Sequence, residues 1–188
     1  MKPLTNGQKI QLAYRQMIEP YSNHLQIAAT LTLKQGAKIK IKRYANYGDE
    51  CFEYWVKLSD DTLSSTVRYF IALLTHALYG NSSKHRNKQA WAKPLVIVAV
   101  EGKNSGKRTH LHLAIGNVPS DKLANIETLI LQAWDRCDFG YDRNKVETIW
   151  NDIGWLDYIS KEVGYTDNDA LNIVASSIPQ FIQTSICT

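Results

Sequence analysis

The sequence predicts an α+β domain, with a central antiparallel β-sheet and helices packed against it. Three observations lead there. Short apolar, β-branched stretches at 25–33, 94–101 and 108–116 read as strands. Longer stretches at 61–79 and 120–134 keep their apolar residues at helical spacing. After an N-terminal helix the elements run strand, strand, helix, strand, strand, helix, strand, helix, a layered α+β order.

Each element has a local cause. Residues 1–20 read as a helix that stops at Pro20. LQIAATLTL at 25–33 is a buried strand. KIKIKRY at 38–44 alternates with period two: Lys38, Lys40 and Lys42 take one face, Ile39 and Ile41 the other. That is a half-buried strand with a basic outer face. From 61 to 79, Leu63, Val67, Phe70, Ile71, Leu74 and Leu78 form one stripe, and Gly80 stands at the C-terminal stop. Residues 81–93 are polar and basic and read as a loop. PLVIVAVE, the turn GKNSGK and RTHLHLAIG make a β-hairpin over 94–116. Pro119 and Ser120 open a helix carrying Leu123, Ile126, Ile130 and Trp134, with Ser120 expected as its N-cap. KVETIW at 145–150 is a fifth strand, and 152–163 a last amphipathic helix ended by Gly164. The residues from 166 on form a tail without an assigned element.

Length and composition bound the class. The chain has 188 residues, which suits one domain. At 44% hydrophobic and 21% charged residues it is neither disordered, collagen-like nor a coiled coil. No apolar stretch approaches the ~20 residues that cross a bilayer. None near the N-terminus suits a signal peptide. A soluble protein without a membrane partner is therefore expected. Cys51, Cys137 and Cys187 are odd in number and lack C-x-x-C spacing, so reduced thiols fit better than disulfides or a zinc knuckle.

The net charge is only +4, but 12 of the 22 Lys and Arg residues fall in two stretches. One runs from Lys34 to Arg43, without an acid. The other runs from Lys84 to Arg108, with Glu101 as its sole acid. Such clustering is the footprint of a phosphate-backbone binder, and equally that of a solvated face. Trp91, inside the second stretch, reads either as a base-stacking ring or as core.

The chemistry centres on Thr109-His110-Leu111-His112-Leu113. On a strand, His110 and His112 project to one face while Leu111 and Leu113 point into the core. The two imidazoles are either half of a metal site or a pair of surface histidines. Glu101 ends the preceding strand. An even-numbered turn puts it on the histidine face, opposite 110 or diagonal to it; an odd turn points it away. Two imidazoles and one carboxylate suit Mg²⁺ or Mn²⁺, with the nitrogens favouring Mn²⁺. In the last helix, Tyr158, Lys161 and Glu162 share the polar face, so the tyrosine is offered to solvent or to a substrate.

AATLTL at 28–33, the acid-preceded HLH triplet at 101–112 and Tyr158-x-x-Lys161 within GWLDYISKEVG occur in the order of the three motifs of the HUH endonucleases. The chain resembles their single-tyrosine rolling-circle replication initiators over about residues 25–165. The resemblance implies a ferredoxin- or RRM-like palm over 1–165, with 1–24 an N-terminal extension and 166–188 a tail. It makes Glu101, His110 and His112 the ligands of Mg²⁺ or Mn²⁺, Tyr158 the nucleophile and Lys161 its helper. It implies nicking and rejoining of single-stranded origin or hairpin DNA through a 5′-phosphotyrosine. Lys38, Lys40, Lys42, Arg43, Lys84, Arg86, Lys88 and Arg108 would grip the DNA backbone. No G-x-x-x-x-G-K-[ST] loop appears and only 23 residues follow Tyr165. A separate helicase and a host polymerase are therefore the expected partners. The expected compartment is the cytoplasm of a bacterial, plasmid or phage host, or the nucleus for a virus. A relaxase using Tyr14 or Tyr21, a single-tyrosine transposase and a non-catalytic nucleic-acid-binding domain are the competing readings.

Overall fold

Four antiparallel strands form the centre of this computed structural model. It describes residues 3–45, 48–85, 91–103, 108–149, 154–155, 159–160, 163, 170–172 and 174–182, with the backbone alone at 41–45 and 48–50. The chain opens with α1 (Asn6–Ile18), started by a reciprocal capping box between Thr5 and Gln8. Pro20 then falls at the start of a 3₁₀ turn over Glu19–His24, which delivers the chain to β1 (Leu25–Thr32). β2 (Gly36–Ala45) and β3 (Gly48–Lys57) follow, then α2 (Asp60–Tyr79), capped by Ser59 and ended at Gly80 with φ of 55°. β4 (Leu95–Glu101), β5 (His110–Gly116), α3 (Ile126–Asp135) and β6 (Lys145–Thr148) complete the regular elements.

The central sheet has the order β4-β5-β1-β6, with β1 between β5 and β6. The expected α+β class with an antiparallel sheet and flanking helices is what forms. Both faces are covered, which explains why LVIVAV shows no alternation. Val96, Val98, Val100, Leu111, Leu113, Ile27, Ala29 and Leu31 share one core with α2 and α3. There Phe70 and Trp134 meet edge to face at 5.5 Å. Leu95, Ile97, Ala99 and Ala114 share a second core with Ile18, Ile159, Val163, Leu171 and Ile182.

Three expectations change. The basic strand β2 does not join the central sheet. It pairs with β3, an unforeseen strand, as a separate two-stranded ribbon. β3 escaped notice because its aromatic residues alternate with acids: Phe52, Tyr54 and Trp55 are all exposed, so it has no fully buried face to signal. Ser120 is not a helix N-cap. It begins a 3₁₀ turn, Ser120–Asn125, whose N-cap is Pro119. Asn125 holds the N-cap position of α3, without a side-chain cap bond. The segment read as a tail also contributes to the sheet. Val96 exchanges backbone hydrogen bonds with Ser177 at 2.7 and 2.8 Å. Val100 N–H donates to Ala170 at 2.6 Å and Asn172 N–H to Val98 at 2.8 Å. Ala170, Asn172 and Ser177 thus cover the outer edge of β4, which would otherwise present unpaired backbone groups. Among the described residues no helix is long and apolar enough to cross a membrane.

Candidate metal centre

The site grows from strand register. On β5, His110, His112 and Ala114 share one face, and Leu111, Leu113 and Ile115 share the other. β4 pairs with Glu101 opposite His110 and Ala99 opposite His112. This is one of the two even registers, so the carboxylate stands on the histidine face. Gly102 lets the chain leave the strand at once. Its φ is +92°, and a Cβ there would lie 2.8 Å from the Arg108 carbonyl oxygen. On the other side of β5, β1 sets Thr30 opposite His112 and Thr32 opposite His110.

Both Nε2 atoms converge on one carboxylate oxygen. Glu101 Oε2 lies 2.8 Å from His112 Nε2 and 3.4 Å from His110 Nε2. The rings meet edge to face, 4.8 Å between centroids and 81° between planes. Glu101 and His112 are buried, while His110 keeps 17% of its side chain exposed and marks the open side.

Each Nδ1 is occupied from behind. His110 Nδ1 lies 2.9 Å from the Arg108 carbonyl and His112 Nδ1 lies 3.1 Å from Thr30 Oγ1. A carbonyl only accepts, so Nδ1 of His110 carries the proton. In neutral His110 the Nε2 facing Glu101 is therefore a lone pair. A lone pair and a carboxylate oxygen side by side are two electron-pair donors that one cation can bridge. The three ligand atoms lie within 4.8 Å of one another. Two imidazoles with outward-held Nδ1 atoms, plus one carboxylate, form a donor set that can bind a metal ion.

Arg108 belongs to this end of the sheet by more than charge. Its carbonyl orients His110, and its guanidinium lies 4.3 Å from the centre of the Tyr141 ring. Thr30 and Tyr141 are site neighbours that the sequence reading missed. Thr30 had a signal: Thr30 and Thr32 repeat at i, i+2 in an otherwise apolar strand, the same period as the histidines.

The other expected contacts scatter. Lys38 and Lys40 lie on the β2–β3 ribbon, where Lys40 is paired with Glu53 at 3.1 Å. Lys42 and Arg43 hold β2 positions opposite Cys51 and Glu50, and their side chains lie outside the described atoms. Lys84 is exposed at the end of a 3₁₀ turn that follows α2. Arg86, Lys88, Tyr158 and Lys161 lie outside the described residues. Their neighbours Ile159 and Ser160 are buried, and Ile159 and Val163 join the core that includes Ala99 and Ala114. Those two alanines lie on the same sheet face as Glu101 and His112. Trp91 is 50% exposed, so it is not core.

No family model, curated protein or solved structure matches this chain.

Proposed function

We propose that this protein is a metal-dependent single-stranded DNA endonuclease and strand transferase of the rolling-circle initiator kind. The observation that carries the reading is the convergence of His110 and His112 Nε2 on Glu101, on the sheet face against which Ile159 and Val163, either side of the Lys161 position, are packed. The exposed Arg108 beside His110 supports an anionic substrate.

In this reading His110, His112 and Glu101 hold Mn²⁺ or Mg²⁺, the nitrogens favouring Mn²⁺. The ion, when bound, supplies charge stabilisation to a scissile phosphate. Arg108 holds the neighbouring backbone phosphate through its guanidinium. Tyr158, whose phenol loses its proton, forms the new O–P bond as the 3′ oxygen leaves and takes up a proton. The products are a 5′-phosphotyrosine and a free 3′-OH. In the reverse step a 3′-OH attacks that phosphorus and Tyr158 leaves, so ends rejoin without a nucleotide cofactor. Lys161 offsets the charge that develops on the phosphate. Unwinding and synthesis fall to a separate helicase and polymerase.

The test is a denaturing gel of labelled single-stranded origin and hairpin oligonucleotides incubated with the protein and Mn²⁺, with and without chelator. The reading expects a metal-dependent covalent adduct that disappears in Tyr158→Phe and in His112→Ala. Binding without any adduct would make the protein a non-catalytic nucleic-acid-binding domain.

A second reading has one observation in its favour. Tyr14 and Tyr21 pack against the core on the metal-bearing face, as a relaxase with an N-terminal tyrosine would need. An adduct that survives Tyr158→Phe and is lost in Tyr14→Phe or Tyr21→Phe selects it.

A further inference from the structure

A large cavity lies between α2 and the residues that cover the β4 edge, and none of Glu101, His110 and His112 lines it. It has a volume of about 720 Å³ and is walled by α2, the turn after it, the residues before β4 and residues 178–180. α2 packs on the core with Val96, Val98 and Val100, whereas Glu101 and His112 face the other way. On α2, Arg68, Ala72, Thr75 and His76 fall at i, i+4, i+7 and i+8 and so form one stripe that lines the cavity. Lys84 and Lys93 close it from the neighbouring segments.

The charge there is one-sided. From Thr62 to Val100 the sequence has no Asp or Glu, and the Lys and Arg residues of that span that line the cavity are Arg68, Lys84 and Lys93. Among the described residues no acid lines the cavity. Arg68, Lys84 and Lys93 are exposed, and no carboxylate among the described residues pairs with them. Cations gathered in a concave wall repel one another and focus a positive potential. The distance along α2 from Arg68 to His76 is about 12 Å at ~1.5 Å per residue. Phosphates of one duplex strand advance by about 3.4 Å along the axis while winding around it, so the stripe is long enough to meet more than one of them. The Thr75 and Ser83 hydroxyls already donate to the Ile71 and Gly80 carbonyls, so phosphate contacts there fall to the cations Arg68, Lys84 and Lys93. Among the described residues no aromatic ring of Phe, Tyr or Trp lines the cavity, so it has no broad platform for bases.

We infer that this groove binds the phosphate backbone of a nucleic acid, without reading sequence, at a place outside the metal centre. It takes its substrate class from the reading above, and it concerns binding, not cleavage. The groove holds the part of the strand or duplex that does not react, and so adds affinity without touching the scissile phosphate.

The experiment measures binding of the full chain to labelled oligonucleotides of about 20 nucleotides by fluorescence anisotropy, in chelator, over roughly 50–200 mM salt. Two unrelated sequences are used. The variants are Arg68→Gln/Lys93→Gln and the charge-retaining Arg68→Lys/Lys93→Arg. The neutral pair is expected to weaken binding roughly tenfold at low salt and to reduce the salt slope by about two. The effect should be equal for both sequences, and absent in the charge-retaining pair. Mn²⁺ titration and thermal melting of both variants should match the starting protein, which separates this result from any failure of the metal reading. Unchanged affinity and slope in the neutral pair would overturn the inference. So would inorganic phosphate competing at matched ionic strength, which would mark a pocket for the free ion.

Discussion

Thr30→Val tests the metal centre through a residue that touches no substrate. The change is nearly isosteric and removes one hydroxyl, the group 3.1 Å from His112 Nδ1. Without metal, His112 can carry its proton on Nε2 and give it to Glu101 at 2.8 Å, so the lost hydroxyl removes only a donor to the Nδ1 lone pair. With metal, Nε2 must be a lone pair and the proton must sit on Nδ1, which the substituted valine side chain no longer accepts. His112 is only 3% exposed, so water does not replace the hydroxyl. A buried group left unsatisfied costs about 1–3 kcal/mol in either state, but the N–H of a metal-bound ring is the more polarised partner, so the metal-bound state loses about 1 kcal/mol more. At ~1.4 kcal/mol per tenfold, the Kd for Mn²⁺ should rise roughly fivefold. Isothermal titration with Mn²⁺ reads it. Thr32→Val is the control, because Thr32 donates its hydroxyl to the Arg143 carbonyl and its partner strand residue, His110, is held by Arg108 instead. If Thr30→Val binds Mn²⁺ as tightly as the starting protein, the tautomer argument is wrong. If both threonine variants weaken it equally, the effect is one of sheet stability.

Three further outcomes are expected. Mn²⁺ at a hundred times its Kd should stabilise the fold by about 2.7 kcal/mol, visible as a raised Tm, and this gain should vanish in Glu101→Gln and His112→Ala. Tyr79 has its phenol pushed up to about 12 by burial, and its hydroxyl donates to the Asn117 carbonyl. The fold thus favours the neutral phenol: its contribution is full below pH 10 and falls as pH rises towards 12. Urea midpoints should therefore fall less steeply across that window in Tyr79→Phe than in the starting protein. Burial likewise pushes the Cys137 thiol up to about 12, while Cys51 is exposed. A maleimide followed by mass spectrometry should label Cys51 in the native protein and reach Cys137 only on unfolding.

Much of the fold was readable because its signals are local. β1, α2, β4 and β5 each carry their own apolar period or run and form where that pattern stands, whereas α3 takes up only the later part of its stripe, from Ile126. β3 has no such pattern: its charged and aromatic residues make sense only opposite β2, where Glu53 answers Lys40. That pairing also corrects the reading of Lys38, Lys40 and Lys42 as a purely basic face. Ala170, Asn172 and Ser177 contribute backbone hydrogen bonds to the β4 edge, and a ladder of N–H and C=O groups leaves little trace in side-chain periodicity.

Strand period is a property of the covalent chain, so the amino-acid order alone puts His110 and His112 on one face. The same order dictates the alternation of strands and helices that makes the class α+β. Folding was needed to set Glu101 opposite His110, to bring Thr30 and the Arg108 carbonyl to the Nδ1 atoms, and to pack the residues flanking Lys161 on the same face. Register across a turn depends on how that turn closes, and Thr30, which holds His112 from behind, comes from a strand far away in the chain. No local pattern encodes such pairings. They are selected when both faces of the sheet bury their apolar residues together.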